Sequence, residues 1–365
     1  MNDAALFDLP EADVACALLP YLRDHTGVAS LAFERRPTRM LGGFDSLIYD
    51  FELRDPPAAL AGPLVLRVHR DARGPERAHC ESSVQNAVAG LGFPTPRVGL
   101  TCVDRGVLGG AFLIMQRLPG RVMLDAFFSP RILRMPALLA RLHVRLHSLD
   151  VQRFRGSLEA ARCPLDRLAL AADLDNMHAR IAGARLTGLE NGMRWIVAQR
   201  PAEPAAAVIC HGDFHPLNVL LQGDRVSGVL DWAWAKIADP AWDVGATVAL
   251  ISQGPVHLPA FLQGAARAVR RMLVDRYLRA YAAVRPLDLA AARYYEAMRC
   301  MGMLVEAGEH CQAERRVIAP VAKPTAFAGA RAARSLVERF RAISQVDVAL
   351  PGIRAGDGEA SHRVQ

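Results

Sequence analysis

The stretch Ala207–Asp243, AVICHGDFHPLNVLLQGDRVSGVLDWAWAKIADPAWD, constrains this chain more than any other. It sets His211, Asp213 and Asn218 in one loop between short apolar runs and puts Asp231 at the end of the next run. A fold that holds it must contain small strands on both sides of that loop. The pattern H-x-D-x-x-x-x-N followed by a strand-terminal Asp is the spacing of a phosphoryl-transfer loop. Such a loop needs a carboxylate within hydrogen-bond reach of an acceptor hydroxyl, which Asp213 suits. Mg²⁺ wants only one or two protein oxygens beside the phosphates, and the Asn218 amide and Asp231 carboxylate can supply them. His211 can brace the loop by hydrogen bonds, and Gly212 lifts the Cβ constraint. Singly, each of these residues is an ordinary turn former; the joint spacing is what points to chemistry.

The rest of the chain changes character once. A helix is predicted over 11–25, with Leu18, Leu19 and Leu22 on one face. Strand-like runs follow, MLGGFDSLIYDFEL and LVLRVHR, then a helix over 75–91, then RVGLTCVD and AFLIMQRL. At Pro119-Gly120 the strand signals stop, and Pro-Gly marks a candidate hinge. Beyond it the amphipathic segment 134–150, helical segments within 165–199 and the mostly helical 258–343 enclose the short strands around the loop. The reading is α+β, with residues 1–118 as an amino-terminal lobe, 119–350 as a larger, mainly helical lobe, and 351–365 as a tail without periodicity.

Composition narrows the rest. With 365 residues, 52% apolar and 22% charged, the chain is expected to fold. It has no apolar run near the ~18–20 residues of a membrane span, and its first residues lack the basic and apolar regions of a secretory signal. A soluble, cytoplasmic protein without a membrane partner is the expectation. Seven cysteines with no C-x-x-C pair are expected to be reduced and mostly buried. The net charge of +7 is spread along the sequence rather than clustered with aromatics, which argues against a nucleic-acid partner.

HGDFHPLNVL, GVLDW and ADPAWD resemble the aminoglycoside phosphotransferase / choline kinase family, the small-molecule branch of the protein-kinase-like fold. The resemblance extends over roughly residues 28–345 and implies a bilobal structure, a small mixed β-sheet lobe and a mainly helical lobe with a nucleotide cleft between them. It implies an enzyme that moves the terminal phosphoryl group of ATP, or another nucleoside triphosphate, with Mg²⁺ to a hydroxyl of a small molecule. Carried over residue by residue, Asp213 is the catalytic base, with His211 beside it, and Asn218 and Asp231 are the metal ligands. Gly42 and Gly43 fall in the phosphate loop, and Glu81 is the acidic residue of the first-lobe helix, with Glu76 as its rival. Met115, Gln116, Arg117 and Leu118 form the segment that receives adenine. Arg67 stands where the family usually has lysine, and the only lysines, Lys236 and Lys323, lie far along the chain. That departure also admits a nucleotide-binding regulator without useful transfer. Asp239 and Asp243 are read as structural, His215, His147 and His69 as surface or core histidines, and Trp232, Trp234 and Trp242 as acceptor wall or core.

Overall fold

The computed structural model describes residues 9–40, 46–204, 206–254, 263–316 and 329–351. Gly42 and Gly43 lie outside them. In chain order the strands are β1 (Ala32–Arg39), β2 (Leu47–Arg54), β3 (Pro63–His69), β4 (Val98–Cys102), β5 (Ala111–Gln116), β6 (Arg121–Val122), β7 (Val208–Cys210), β8 (Val219–Gln222), β9 (Arg225–Val229) and β10 (Lys236–Ala238). The helices are α1 (Glu11–Thr26), α2 (Gly74–Gly90), α3 (Met135–His147), α4 (Val151–Ala160), α5 (Leu170–Gly183), α6 (Glu190–Ala198), α7 (Pro240–Gln253), α8 (Gln263–Ala282), α9 (Leu289–Arg316) and α10 (Ala330–Ser344). The chain divides into two units: residues 1–125 with 152–165 and 216–233, and residues 126–151 with 166–215 and 234–365.

In the first unit an antiparallel sheet runs β1-β2-β3-β5-β4. Side chains alternate between its faces. One face carries Leu47, Tyr49, Phe51, Leu64, Leu66, Val68, Phe112 and Ile114, which bury against Val14, Leu18 and Leu22 of α1 in a single apolar core. Each such side chain contributes roughly 1.5–3 kcal/mol of burial. The opposite face carries Val65, Leu113 and Met115 with Val98, and the charged Arg67 falls between them in the alternation. This is the face α2 covers: Gln85 Nε2 donates to the Pro96 carbonyl at 2.7 Å and lies 3.5 Å from the Met115 sulfur. The outermost strand β1, AFERRPTR, was not anticipated. Its polar residues suit an edge, where only one side is paired and most positions remain partly exposed.

A small sheet, β6-β8-β9, belongs to the same unit. Its β9 end is tied to the segment before β4: Val229 N–H donates to the Pro94 carbonyl at 2.8 Å. Thr95 Oγ1 donates to the Val229 carbonyl at 3.1 Å and accepts the Trp232 indole N–H at 2.7 Å. Trp232 is thereby a core residue, 1% exposed.

The second unit is helical around the two-stranded β7-β10 pair. α9 packs against α7 and α10, and α3 packs against α8. α7 begins where chemistry dictates: Asp239 caps it by accepting the Ala241 N–H at 2.7 Å, and Pro240 occupies the first turn, where a missing N–H costs nothing. Among the described residues no helix is long and apolar enough to cross a membrane. All seven cysteines are free, and Cys102, Cys163, Cys210 and Cys300 are buried. Replacing Thr95 by the isosteric Val should cost about 0.5–1.5 kcal/mol in urea unfolding, because the Trp232 N–H and the Val229 carbonyl lose the Thr95 hydroxyl and keep each other as partners at 3.2 Å. An unchanged midpoint would mean that this tie carries no stability.

Candidate active site

The first unit brings together three residues that are far apart in sequence. Arg67 on β3 and Glu81 on α2 are both buried, at 8% and 3% exposure, and Arg67 Nη1 donates to Glu81 Oε1 at 2.6 Å. Nη1 also lies 3.4 Å from Asp231 Oδ1, and Nη2 lies 3.5 Å from both Asp231 oxygens. Burial acts to raise the Glu81 carboxyl, but the Arg67 guanidinium and the nearby His69 outweigh it and hold the group ionised below its ordinary range. His69 Nε2 faces the other Glu81 oxygen at 3.5 Å. Glu76 is exposed in the first turn of α2 and is not part of this group.

Asn218 and Asp231 meet at one end of the β8–β9 hairpin. Val219 pairs with Val229, and one step further Leu230 N–H donates to the Asn218 carbonyl at 2.8 Å. Asp231 is the next residue and turns sharply, with φ at +64°, a left-handed conformation that Asp tolerates better than most side chains. An amide oxygen and a carboxylate are hard donors of the kind Mg²⁺ takes, and two of them beside a cationic Arg67 suit an ion that binds phosphates at the same time. These residues fit the group.

Gln116 and Arg117 spend their N–H groups on the Arg97 and Pro63 carbonyls, at 3.0 and 2.9 Å. The Arg117 side chain turns to Asp50. Met115 is buried against Gln85. Leu118 packs over Gly228, where an added Cβ would meet its Cδ1 at 2.2 Å.

In the second unit the loop after β7 is held by one buried carboxylate. Asp243, fully buried on α7, accepts the His211 N–H at 2.5 Å and the Gly212 N–H at 2.8 Å. His143 and His147, one turn apart on α3, approach its Oδ2 with their Nε2 atoms at 3.0 and 3.3 Å. Their Nδ1 atoms lie 2.6 Å from the Tyr277 hydroxyl and 2.7 Å from the Tyr281 hydroxyl, both on α8. Burial works against the Asp243 charge, yet the two imidazoles keep the group ionised well below the usual carboxylate range. These three side chains have the spacing of a metal site. Through its two backbone contacts Asp243 also braces the loop. Gly212, with φ at +80°, passes so close to Trp234 that a Cβ would sit 2.4 Å from its carbonyl oxygen.

The brace leaves Asp213 at the loop's tip. Its N–H donates to His211 Nδ1 at 3.2 Å, so His211 shapes the loop from within. Its carboxylate is flanked by His215 Nε2 at 3.1 Å and by Arg299 Nη2 of α9, also at 3.1 Å. Burial would raise the carboxyl, and the His215 hydrogen bond together with the Arg299 charge holds it far below the ordinary range. Arg299 in turn lies over the ring of Trp234, 5.7 Å from its centroid.

Comparison with known proteins places this arrangement. Residues 39–287 match the model of a family described as the phosphotransferase enzyme family. The chain belongs to that family. An aminoglycoside 3'-phosphotransferase of Streptomyces fradiae is 30% identical over 190 residues, covering 47% of this chain and 65% of that protein. Acyl-CoA dehydrogenase family member 11 of Pongo abelii is 28% identical over 196 residues, covering 50% of this chain and 24% of that protein. The chain thus spans about a quarter of the length of that longer relative. A thermostable mutant of an aminoglycoside phosphotransferase, solved with ADP and hygromycin B, superposes with a TM-score of 0.53 at 15% identity, covering 90% of this chain and 98% of its own. That likeness shows the fold, the mixed α+β architecture of the kinase-like phosphotransferases.

For a member of this phosphotransferase family, several neighbours of the loop were not legible beforehand. His215 was read as surface or core and instead touches Asp213. Arg299, 86 residues further on, carried no local signal. The His143 and His147 pair did carry one, a four-residue repeat on a helix face. Trp234 is exposed, at 41%, and Trp242 is buried, at 8%.

His147 gives a pH test of the brace. Burial, helped by His143, lowers it to about 4, against about 6.5 in an unfolded chain. Between those values the unfolded chain binds the extra proton, so stability should fall as pH drops from about 6.5 to about 4, by on the order of 3 kcal/mol. The buried carboxylates, held below their unfolded values, add losses that begin near pH 5, so the stretch from pH 6.5 to about 5 reports His147. In His147→Gln the slope of stability between pH 6.5 and 4 should flatten; an unchanged slope would assign it elsewhere.

Proposed function

We propose that this protein transfers the terminal phosphoryl group of a nucleoside triphosphate, ATP foremost, to a hydroxyl of a small molecule, with Mg²⁺. The single observation that carries this reading is the Leu230 to Asn218 backbone bond, which sets Asn218 and Asp231 side by side with Arg67 3.4 Å from the latter. Arg67, held in place by Glu81, would hold phosphate oxygens, and Asn218 and Asp231 would hold the metal. When bound, Mg²⁺ supplies charge neutralisation on the phosphates.

Asp213 accepts the hydrogen bond of the acceptor hydroxyl and orients its oxygen toward the terminal phosphorus. As the new O–P bond forms and the bond to the bridging oxygen breaks, the hydroxyl proton passes to Asp213 and the nucleoside diphosphate leaves with the bridging electron pair. A carboxylate held so far below its ordinary range is a weak base. Its work is positioning, with proton transfer late, as a loose transition state demands. Arg299 places positive charge beside Asp213, which disfavours a polycation such as an aminoglycoside as acceptor. Arg67, engaged with both Glu81 and Asp231, supports a transferase over a nucleotide-binding regulator.

Two measurements test this. With labelled nucleotide and a panel of neutral, acidic and basic alcohols, Asp213→Asn should lower transfer about 10²–10⁴-fold while Mg·ATP affinity stays within about twofold. Equal turnover would remove Asp213 from the mechanism. Asp231→Asn should abolish the Mg²⁺ dependence of nucleotide binding, seen by calorimetry with and without the ion; retained dependence would place the metal elsewhere.

A further inference from the structure

The site's arginine is held by a residue no motif singled out. In the β2–β3 register Ile48 stands opposite Arg67 and Leu47 opposite Val68. Ser46, two residues before Ile48, is therefore the diagonal neighbour of Arg67 on the same face, within reach of a long side chain. Its Oγ accepts the Arg67 Nε–H at 3.0 Å, and both residues are buried, at 7% and 8% exposure. Ser46 at Nε, Glu81 at Nη1, and Asp231 along the Nη1/Nη2 edge at 3.4–3.5 Å are thus among the partners that divide the guanidinium.

The division has a geometric consequence. A guanidinium is planar, so its orientation is set by rotation about the Cδ–Nε bond. A hydrogen bond at Nε fixes that rotation, and with it the directions of both Nη atoms. The Glu81 contact alone, made at one Nη atom, leaves the plane free to tilt about that contact. A lysine at this position has no donor at the Nε position and could not answer Ser46 at all.

We infer that Ser46 is a positioning residue for Arg67, fixing the guanidinium plane so that its Nη edge stays turned toward Asp231 and the nucleotide phosphates. The pair acts as one device, in which arginine at 67 requires the hydroxyl at 46. The phosphate part of this inference rests on the phosphotransferase reading above; the Ser46–Arg67 pairing does not.

The test therefore has two arms. In the nucleotide-free protein, the Arg67 Nε–H resonance, assigned by its loss in Arg67→Lys, should be shielded from exchange in wild type and exchange at least tenfold faster in Ser46→Ala. Equal exchange overturns the pairing whatever the protein binds. For function, Mg·ATP and adenosine are titrated calorimetrically into wild type, Ser46→Ala, Ser46→Thr, Arg67→Lys and the Ser46→Ala/Arg67→Lys double variant. Ser46→Ala should weaken Mg·ATP about tenfold, the worth of one hydrogen bond to a charged group, and leave adenosine within twofold. Ser46→Thr should restore Mg·ATP affinity to within about threefold. On the Arg67→Lys background the alanine should add nothing. Equal losses for ATP and adenosine, or additive losses in the double variant, overturn the positioning role. Ser46→Cys, close in size but a poor acceptor, replaces the alanine should that variant not fold, with the same outcomes. A wild type that fails to bind Mg·ATP while its Nε–H stays shielded would refute the phosphotransferase reading and the phosphate role together, leaving the pairing standing.

Discussion

A charge buried among neutral groups is tolerated only when every side of it is answered, and the loop that carries Asp213 hangs on one such charge. Asp243 has no exposure to water, so its ionised form depends on the donors around it: two backbone N–H groups of the loop and the two imidazoles of α3. The dependence runs both ways. The carboxylate needs the His211 and Gly212 amides, and the amides, buried at the end of β7, need an acceptor. Moving the loop would orphan both partners, which fixes it to α7 more firmly than apolar packing would. The tyrosines of α8 extend the same logic outward, with their hydroxyls 2.6 and 2.7 Å from the Nδ1 atoms of the two imidazoles.

The first unit solves a parallel problem with opposite means. Glu81 is as buried as a core leucine and is kept ionised by the Arg67 guanidinium. Because α2 and β3 each contribute one member, the pair registers the helix on the sheet and delivers the arginine's remaining edge to Asp231. Four residues of chain separate Asp213 from Asn218, and among them the backbone passes from one unit to the other. The preorganisation that phosphoryl transfer needs is thus built separately in each unit, from buried ion pairs rather than from flexible surface charges.

Much of this was legible because the local rules agree with one another. Alternation located β2, β3, β4 and β5, helical spacing located α1 and α3, and the H-x-D-x-x-x-x-N spacing marked the loop. The failures have physical reasons. β1 hides because an edge strand rich in arginine lacks the apolar alternation that marks a half-buried one. Asp239 and Asp243 lie in one short motif, and only the coordinates separate the helix cap from the loop brace. That the Gln116 and Arg117 N–H groups go to the Arg97 and Pro63 carbonyls is also beyond a sequence, which does not record the partners a sheet and its flanks take.

By itself, the sequence determined which atoms are available: hard oxygen donors at 218 and 231, a carboxylate at 213, a permanent cation at 67, and the strand and helix periods that carry them. These follow from covalent chemistry and from the period-2 and period-3.6 geometry of the backbone, both local. Only the tertiary structure decided who answers whom. That Arg67 is shared among Ser46, Glu81 and Asp231, and that Asp213 is flanked by an arginine 86 residues away, depends on strand register and helix packing. Those are set by the sum of many weak burial terms, and no short stretch of sequence contains that sum.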